Sequence, residues 1–166
     1  RYSQQALANH YMCGEKVPAS YTKARYWHQI LAEAGDVDSA YQLFIIYDNG
    51  LGIAKNIPQS LVWLTRAAEG GHVEAQFNLG VSYERGIGLD ADMAQAIRWY
   101  RLAAAQNYGF AQFNLGVIHH HGTGVPVDLS QAADWYRKAI INKVEVADVN
   151  YANLLIEGKG VEKNLS

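Results

Sequence analysis

The chain has 166 residues, 49% hydrophobic and 18% charged, and 14 Lys+Arg against 16 Asp+Glu leave a formal charge of -2. These are the proportions of a folded soluble domain, without the field that would hold nucleic acid or an anionic membrane surface. The single cysteine, Cys13, excludes an intramolecular disulfide and any zinc site built on several thiolates, and no apolar run approaches the roughly 20 residues of a membrane span. The start Arg1-Tyr2-Ser3 is unlike a signal peptide and lacks an initiating Met. The expectation is a mature or truncated chain, with any export signal, anchor or further domain lying outside it.

The sequence repeats itself. All four tryptophans, Trp27, Trp63, Trp99 and Trp135, stand 36 residues apart, and Gly14, Gly50, Gly86, Gly122 and Gly158 keep the same step. Gly52, Gly88, Gly124 and Gly160 follow it too, with Lys16 in the first copy. Leu7, Leu43, Leu79 and Leu115 recur before Tyr151, and Tyr11, Tyr47 and Tyr83 before His119 and Leu155. One domain over residues 1–166 is expected, with copies at about 3–38, 39–74, 75–110 and 111–146 and a cut fifth at 147–166.

Each copy predicts two helices joined by a glycine turn. In the first, the helix of Leu7 and Tyr11 ends near Cys13 and Gly14, and Ser20 opens the helix of Trp27. In the second, Ser39, Leu43 and Tyr47 lead to Gly50, and Asn56 opens the helix of Trp63. The third shows the period most clearly: over 73–85, Ala75, Leu79, Gly80 and Tyr83 share one face of a 3.6-residue helix. Gly86 ends it in the left-handed conformation, Gly88 turns the chain back, and Asp92 caps a helix carrying Ala96, Trp99, Ala103 and Ala104. The fourth repeats this with Ala111, Leu115, Gly122, Asp128 and Trp135, and the fifth would resume at Asn164. Lys23, Gln59, Gln95 and Gln131 stand three residues after their caps, so three copies can form a capping box in which Gln reaches back to the cap N–H. The tryptophans are expected as core rings among close-packed alanines, not as cofactor stackers.

The third and fourth copies read AQFNLGVSYERGIG (75–88) and AQFNLGVIHHHGTGV (111–125), followed by AIRWY (96–100) and AADWYRKA (132–139). This closely resembles the Sel-1-like repeat (SLR) family, relatives of the tetratricopeptide repeat of about 34 residues. The second copy departs at Ser39 and Phe44, the first at Ala8 and Lys16, and the fifth stops at Ser166. The resemblance implies an all-α, right-handed alpha-alpha superhelix of helix-turn-helix repeats. It also implies a non-enzymatic adaptor or scaffold in multiprotein complexes, commonly in bacterial signalling, envelope or host-interaction systems. No cofactor or metal is expected, and bacterial cytoplasm and periplasm are equally compatible.

The face of each first helix away from its partner tends to line the concave surface of such an array. Tyr41, Phe77 and Phe113, then Val149, stand there, and one turn onward Ile45, Val81 and Val117, then Asn153. These rings either pack on the adjacent copy or form an apolar floor for a peptide or helix. Polar residues that vary between copies end the same helices: Asp48 and Asn49, Glu84 and Arg85, His120 and His121, Ile156 and Glu157. The candidate partner-binding set is therefore Tyr41, Ile45, Asn49, Phe77, Val81, Arg85, Phe113, Val117, His120 and His121, with a protein or peptide as ligand. The truncated fifth copy leaves a face open to homo-association or to a continuation of the chain.

Other constellations have structural readings. His119, His120 and His121 are consecutive helical residues 100° apart, poorly placed to share one ion, although His120 and His121 could make binding pH-dependent. Ser20 and Lys23 match the S-x-x-K of penicillin-recognising enzymes, but they are the cap and box positions of the repeat, and no K-T-G or S-D-N accompanies them. The glycine turns lack a phosphate-loop signature. Two alternatives to an adaptor remain: a hydrolase of envelope polymers, which needs a nucleophile and base facing each other across copies, and a purely structural envelope component.

Overall fold

A computed structural model describes residues 3–14 and 18–158. Among them the chain forms nine α-helices and no strand: α1 Gln4–Cys13, α2 Tyr21–Glu33, α3 Val37–Asn49, α4 Ile57–Glu69, α5 Val73–Arg85, α6 Met93–Ala105, α7 Gly109–His121, α8 Leu129–Ile141 and α9 Val146–Glu157. The expected hairpins are thus α1–α2, α3–α4, α5–α6 and α7–α8, with α9 opening a fifth. Lys16, Gly160 and Asn164 lie outside the described residues. The chain divides into two compact units, 1–79 and 80–166, with the boundary inside α5.

The turn inside each hairpin is set by backbone chemistry. Gly86 and Gly88 take φ of 67° and 71°, a left-handed region that costs an ordinary residue about 1–2 kcal/mol. The cap residue then closes the loop: the N–H groups of Ser20, Asn56, Asp92 and Asp128 donate to the carbonyls of Tyr11, Tyr47, Tyr83 and His119, each at 2.9 Å. The cap side chains accept from the N–H of Lys23, Gln59, Gln95 and Gln131 as expected. The other half of the expected capping box does not form. The cap N–H that Gln would satisfy is already bonded to the first helix, and Gln131 Nε2 instead donates to Asp128 Oδ2 at 2.9 Å.

In unit 1, α1 packs on α2, α2 on α3 and α3 on α4, around Ala8, Ala24, Leu43, Ile46, Leu64 and Ala67. Burying such a Leu or Ile side chain stabilises the fold by about 1.5–3 kcal/mol. In unit 2, α6 packs on α7, α7 on α8 and α8 on α9, around Tyr100, Leu115, Ala132, Tyr136 and Leu154.

The tryptophans are less central than the sequence suggests. Trp63 and Trp99 are buried, but Trp27 and Trp135 are half-buried, and cations lie over the rings of Trp63 (Arg66, 4.7 Å) and Trp135 (Lys138, 4.3 Å). The fully buried ring is the next residue, Tyr100 or Tyr136. A Cβ on Gly80 would come within 2.7 Å of the Tyr100 ring, and one on Gly116 within 2.5 Å of the Tyr136 ring, so each helix glycine is the space its tyrosine occupies. The 36-residue step carries this pair to Phe44 and Leu64, and to Ala8 and His28, where a larger first partner meets a smaller second one.

Candidate protein-interaction face

The ladder residues of the second, third and fourth copies are half-buried. In unit 1, Tyr41, Ile45 and Phe77 are half-buried and Asn49 is exposed. Tyr41 stacks on His72 at 4.2 Å, and its hydroxyl accepts from Asn78 Nδ2 at 3.0 Å. Asn78 belongs to the next copy and His72 to the end of the same one, so the hydroxyl of this ring does reach between copies. Asn49 Nδ2 donates to the Ile45 carbonyl at 3.0 Å, which folds its amide over its own helix.

In unit 2, Val81, Phe113 and Val117 are half-buried, while Arg85 and His121 are exposed. Phe113 lies 6.0 Å from Tyr136, within its own copy, and with Val117 packs against the cluster of Ala132, Tyr136 and Leu154. Val149 and Asn153 at the fifth positions are exposed. Tyr41, Phe113 and Val117 therefore anchor one side in the fold and leave the other at the surface.

His120 has a structural partner. Its Nδ1 lies 3.2 Å from the Tyr136 hydroxyl, and its ring stacks on His121 at 4.8 Å. One copy earlier, the Tyr100 hydroxyl donates to the Glu84 carboxylate. The first helix of the following copy supplies a second partner in both cases, Asn114 for Tyr100 and Asn150 for Tyr136. Burial pushes the Tyr136 phenol up to about 12, and the Asn150 hydrogen bond opposes that. Burial first, and then Glu84, raise Tyr100 further. These asparagines were not singled out from the sequence, although Asn78, Asn114 and Asn150 keep the 36-residue step. Gln76 and Gln112 were missed as well: both are buried and donate through Nε2 to the carbonyls of Ala68 and Ala104 at 3.2 Å, tying each first helix to the end of the preceding one.

His119 is buried in place of the packing tyrosine, and neither ring nitrogen has a hydrogen-bond partner. Desolvation, and then Arg101, hold its pKa below the usual histidine value, with Asp128 opposing. His28, also buried, meets Ser39 Oγ through Nδ1 at 3.1 Å and is lowered chiefly by desolvation. Among the described residues no group of three or more His, Cys, Asp or Glu is placed to hold a metal, and no helix is long and apolar enough to cross a membrane. The Ser20 hydroxyl accepts the Lys23 backbone N–H at 3.5 Å, while the Lys23 ammonium sits 5.1 Å over the Tyr11 ring. The pair is arranged as a helix cap rather than as nucleophile and base.

The Sel1 repeat family model matches residues 1–36, 37–72, 73–108 and 109–142. The chain belongs to the Sel1 repeat family. Its members are typically protein–protein interaction scaffolds and generally non-enzymatic. A solved protective antigen present in uropathogenic Escherichia coli strains, displaying an SLR fold, is 34% identical with a TM-score of 0.90, over 97% of this chain and 34% of that one. A Sel1 repeat protein from Oxalobacter formigenes is 25% identical with a TM-score of 0.87, over 97% of this chain and 66% of the other. Helicobacter pylori cysteine rich protein B shares the fold at 23% identity and a TM-score of 0.62, over 82% of this chain and 98% of that one. This Sel1 repeat chain thus spans about a third of the antigen's length and has the all-helical repeat-solenoid fold of these neighbours. Among curated proteins no significant match is found.

Proposed function

We propose that this chain is an interaction scaffold that holds a protein or peptide partner on the outward side of its ladder residues. In unit 1 these are Tyr41, Ile45 and Phe77, with Asn49 at the polar end; in unit 2 they are Val81, Phe113 and Val117, with Arg85 and His121. The carrying observation is the half-burial of the ladder: side chains fixed on one side by the fold present a rigid apolar floor on the other, and little side-chain entropy is lost on binding. His120 contributes through Tyr136, setting the edge of that floor rather than reaching out as a free contact.

The test is affinity capture from a bacterial extract with the wild-type chain and with Val117→Asp and Arg85→Glu. Partners that bind the wild type and are lost from both variants, with helical content unchanged by circular dichroism, support the reading. Partners retained equally by folded variants would overturn it.

A further inference from the structure

His72 stands immediately before α5, in the register of Asp36, whose carboxylate caps α3 by accepting the Ser39 N–H at 2.7 Å. The later copies place no side-chain cap there: Tyr108 makes no cap bond to α7, and Val144 has no polar side-chain atom to offer. Of these four side chains only an imidazole is of a type that changes charge near neutrality. It is also largely shielded, with 13% of its side-chain surface exposed.

The His72 Nδ1 faces two groups that need opposite states of that nitrogen. The Ala75 N–H donates to it at 3.3 Å, which requires a bare lone pair. Glu74 Oε2 lies 3.3 Å from the same nitrogen, and a carboxylate oxygen only accepts, which requires Nδ1 to carry a proton. The two bonds exclude each other. In the neutral ring the Ala75 bond puts the proton on Nε2, which faces Asp38 Oδ1 at 3.6 Å. In the charged ring both nitrogens carry protons: Nδ1–H donates to Glu74, Nε2–H stays towards Asp38, and the Ala75 N–H loses its acceptor. The titratable and charged groups facing the ring are Asp38 and the Tyr41 phenol from α3 and Glu74 from α5. Arg66 and Glu69, in the last turn of α4 that leads to His72, are exposed.

What these two states bear on is the ladder. The Tyr41 ring stacks on His72 with centroids 4.2 Å and planes 28° apart, and Asn78 Nδ2 donates to its hydroxyl at 3.0 Å. A proton on the imidazole adds cation–π attraction to that stack. The lost Ala75 bond at the same time loosens the first turn of α5, the helix that carries Phe77.

We propose that His72 is a protonation switch under the unit 1 ladder. Neutral, it caps α5; charged, it releases the Ala75 N–H, pairs with Glu74 and Asp38, and holds the Tyr41 ring more tightly. The switch stands on these contacts alone, while its use, to make partner binding respond to pH, rests on the interaction reading above.

Nitrogen-15 NMR of the full chain from about pH 8 to 5 tests it without any partner, so its failure leaves the interaction reading untouched. Expected at the upper end is a His72 ring protonated on Nε2 and bare on Nδ1. As the ring takes up its second proton, the Ala75 amide proton should shift upfield, as a donor losing its acceptor does. The Tyr41 ring signals should move with the same midpoint. His72→Asn keeps a capping acceptor that does not titrate, and both responses should be lost in it. A neutral ring protonated on Nδ1 would overturn the proposal, as would an Ala75 amide or a Tyr41 ring that stays still while His72 titrates. So would unchanged responses in a folded His72→Asn. The wild-type titration decides alone if that variant does not fold.

Discussion

Replacing Gly116 by Ala tests the packing logic at its tightest point. The new Cβ would lie 2.5 Å from Cδ1 and Cε1 of Tyr136, about 1 Å inside ordinary contact. The ring has no room to retreat: it is fully buried, and its hydroxyl is held by His120 at 3.2 Å and by Asn150. Overpacking of this kind costs about 1–3 kcal/mol, whereas Ala in place of a helix Gly returns about 1 kcal/mol. If relief of the overlap also loosens one hydroxyl hydrogen bond, about 1 kcal/mol more is lost. The net expectation is destabilisation by about 2 kcal/mol, read as a lower urea midpoint with unchanged slope, or a fall in Tm of about 4–8 °C. The cost should shrink in a Tyr136→Leu background, which copies the smaller Leu64 that accompanies Phe44 in the second repeat. A neutral or stabilising Gly116→Ala, or a cost that stays the same in the Tyr136→Leu background, would refute the claim that glycine and tyrosine share one volume.

Three further outcomes follow from single features. His28 and His119 are both lowered by burial, so the unfolded chain takes up protons first as pH falls through 6.5; stability should be complete above that pH and decline below it by about 1.4 kcal/mol per pH unit for each histidine, until the folded-state values are reached. Urea titrations from pH 8 to 5 check this, and His119→Tyr, the residue of the first three copies, should roughly halve the slope. Lys143→Gly relieves a positive φ and should stabilise the chain by about 1 kcal/mol, seen in the same titration. Asp92→Ala removes the 3.0 Å bond to the Gln95 N–H and should lose about 1 kcal/mol by thermal melting, while Asp92→Asn should lose much less.

The sequence made legible what depends on local chemistry at a fixed step. Gly86, Gly88 and Asp92 each act through their own backbone and their nearest neighbours, and the observed α5, Val73–Arg85, has the expected bounds. What it obscured depends on contacts between distant residues. Trp99 and Tyr100 are adjacent aromatics 100° apart on one helix, and only the depth of Gly80 opposite decides that the tyrosine goes innermost. Asn114 and Gln112 read as ordinary polar helix residues until the preceding copy places Tyr100 and the Ala104 carbonyl against them. The capping boxes failed for the same reason, since the cap N–H was taken by a carbonyl from the facing helix. Within the candidate face, periodicity located Tyr41, Phe77 and Phe113, but the engagement of His120 with Tyr136 required the second helix to be in place.

The central claim is that the ladder's outward side holds a partner. It is tested most directly by placing a photo-crosslinking phenylalanine analogue at Val81 or Val117, half-buried ladder positions, or at Val62, exposed on the second helix of its copy. Irradiated in a bacterial extract, the ladder positions should yield a discrete adduct with a protein partner and Val62 should not. Equal labelling from all three, or labelling from Val62 alone, would contradict the account.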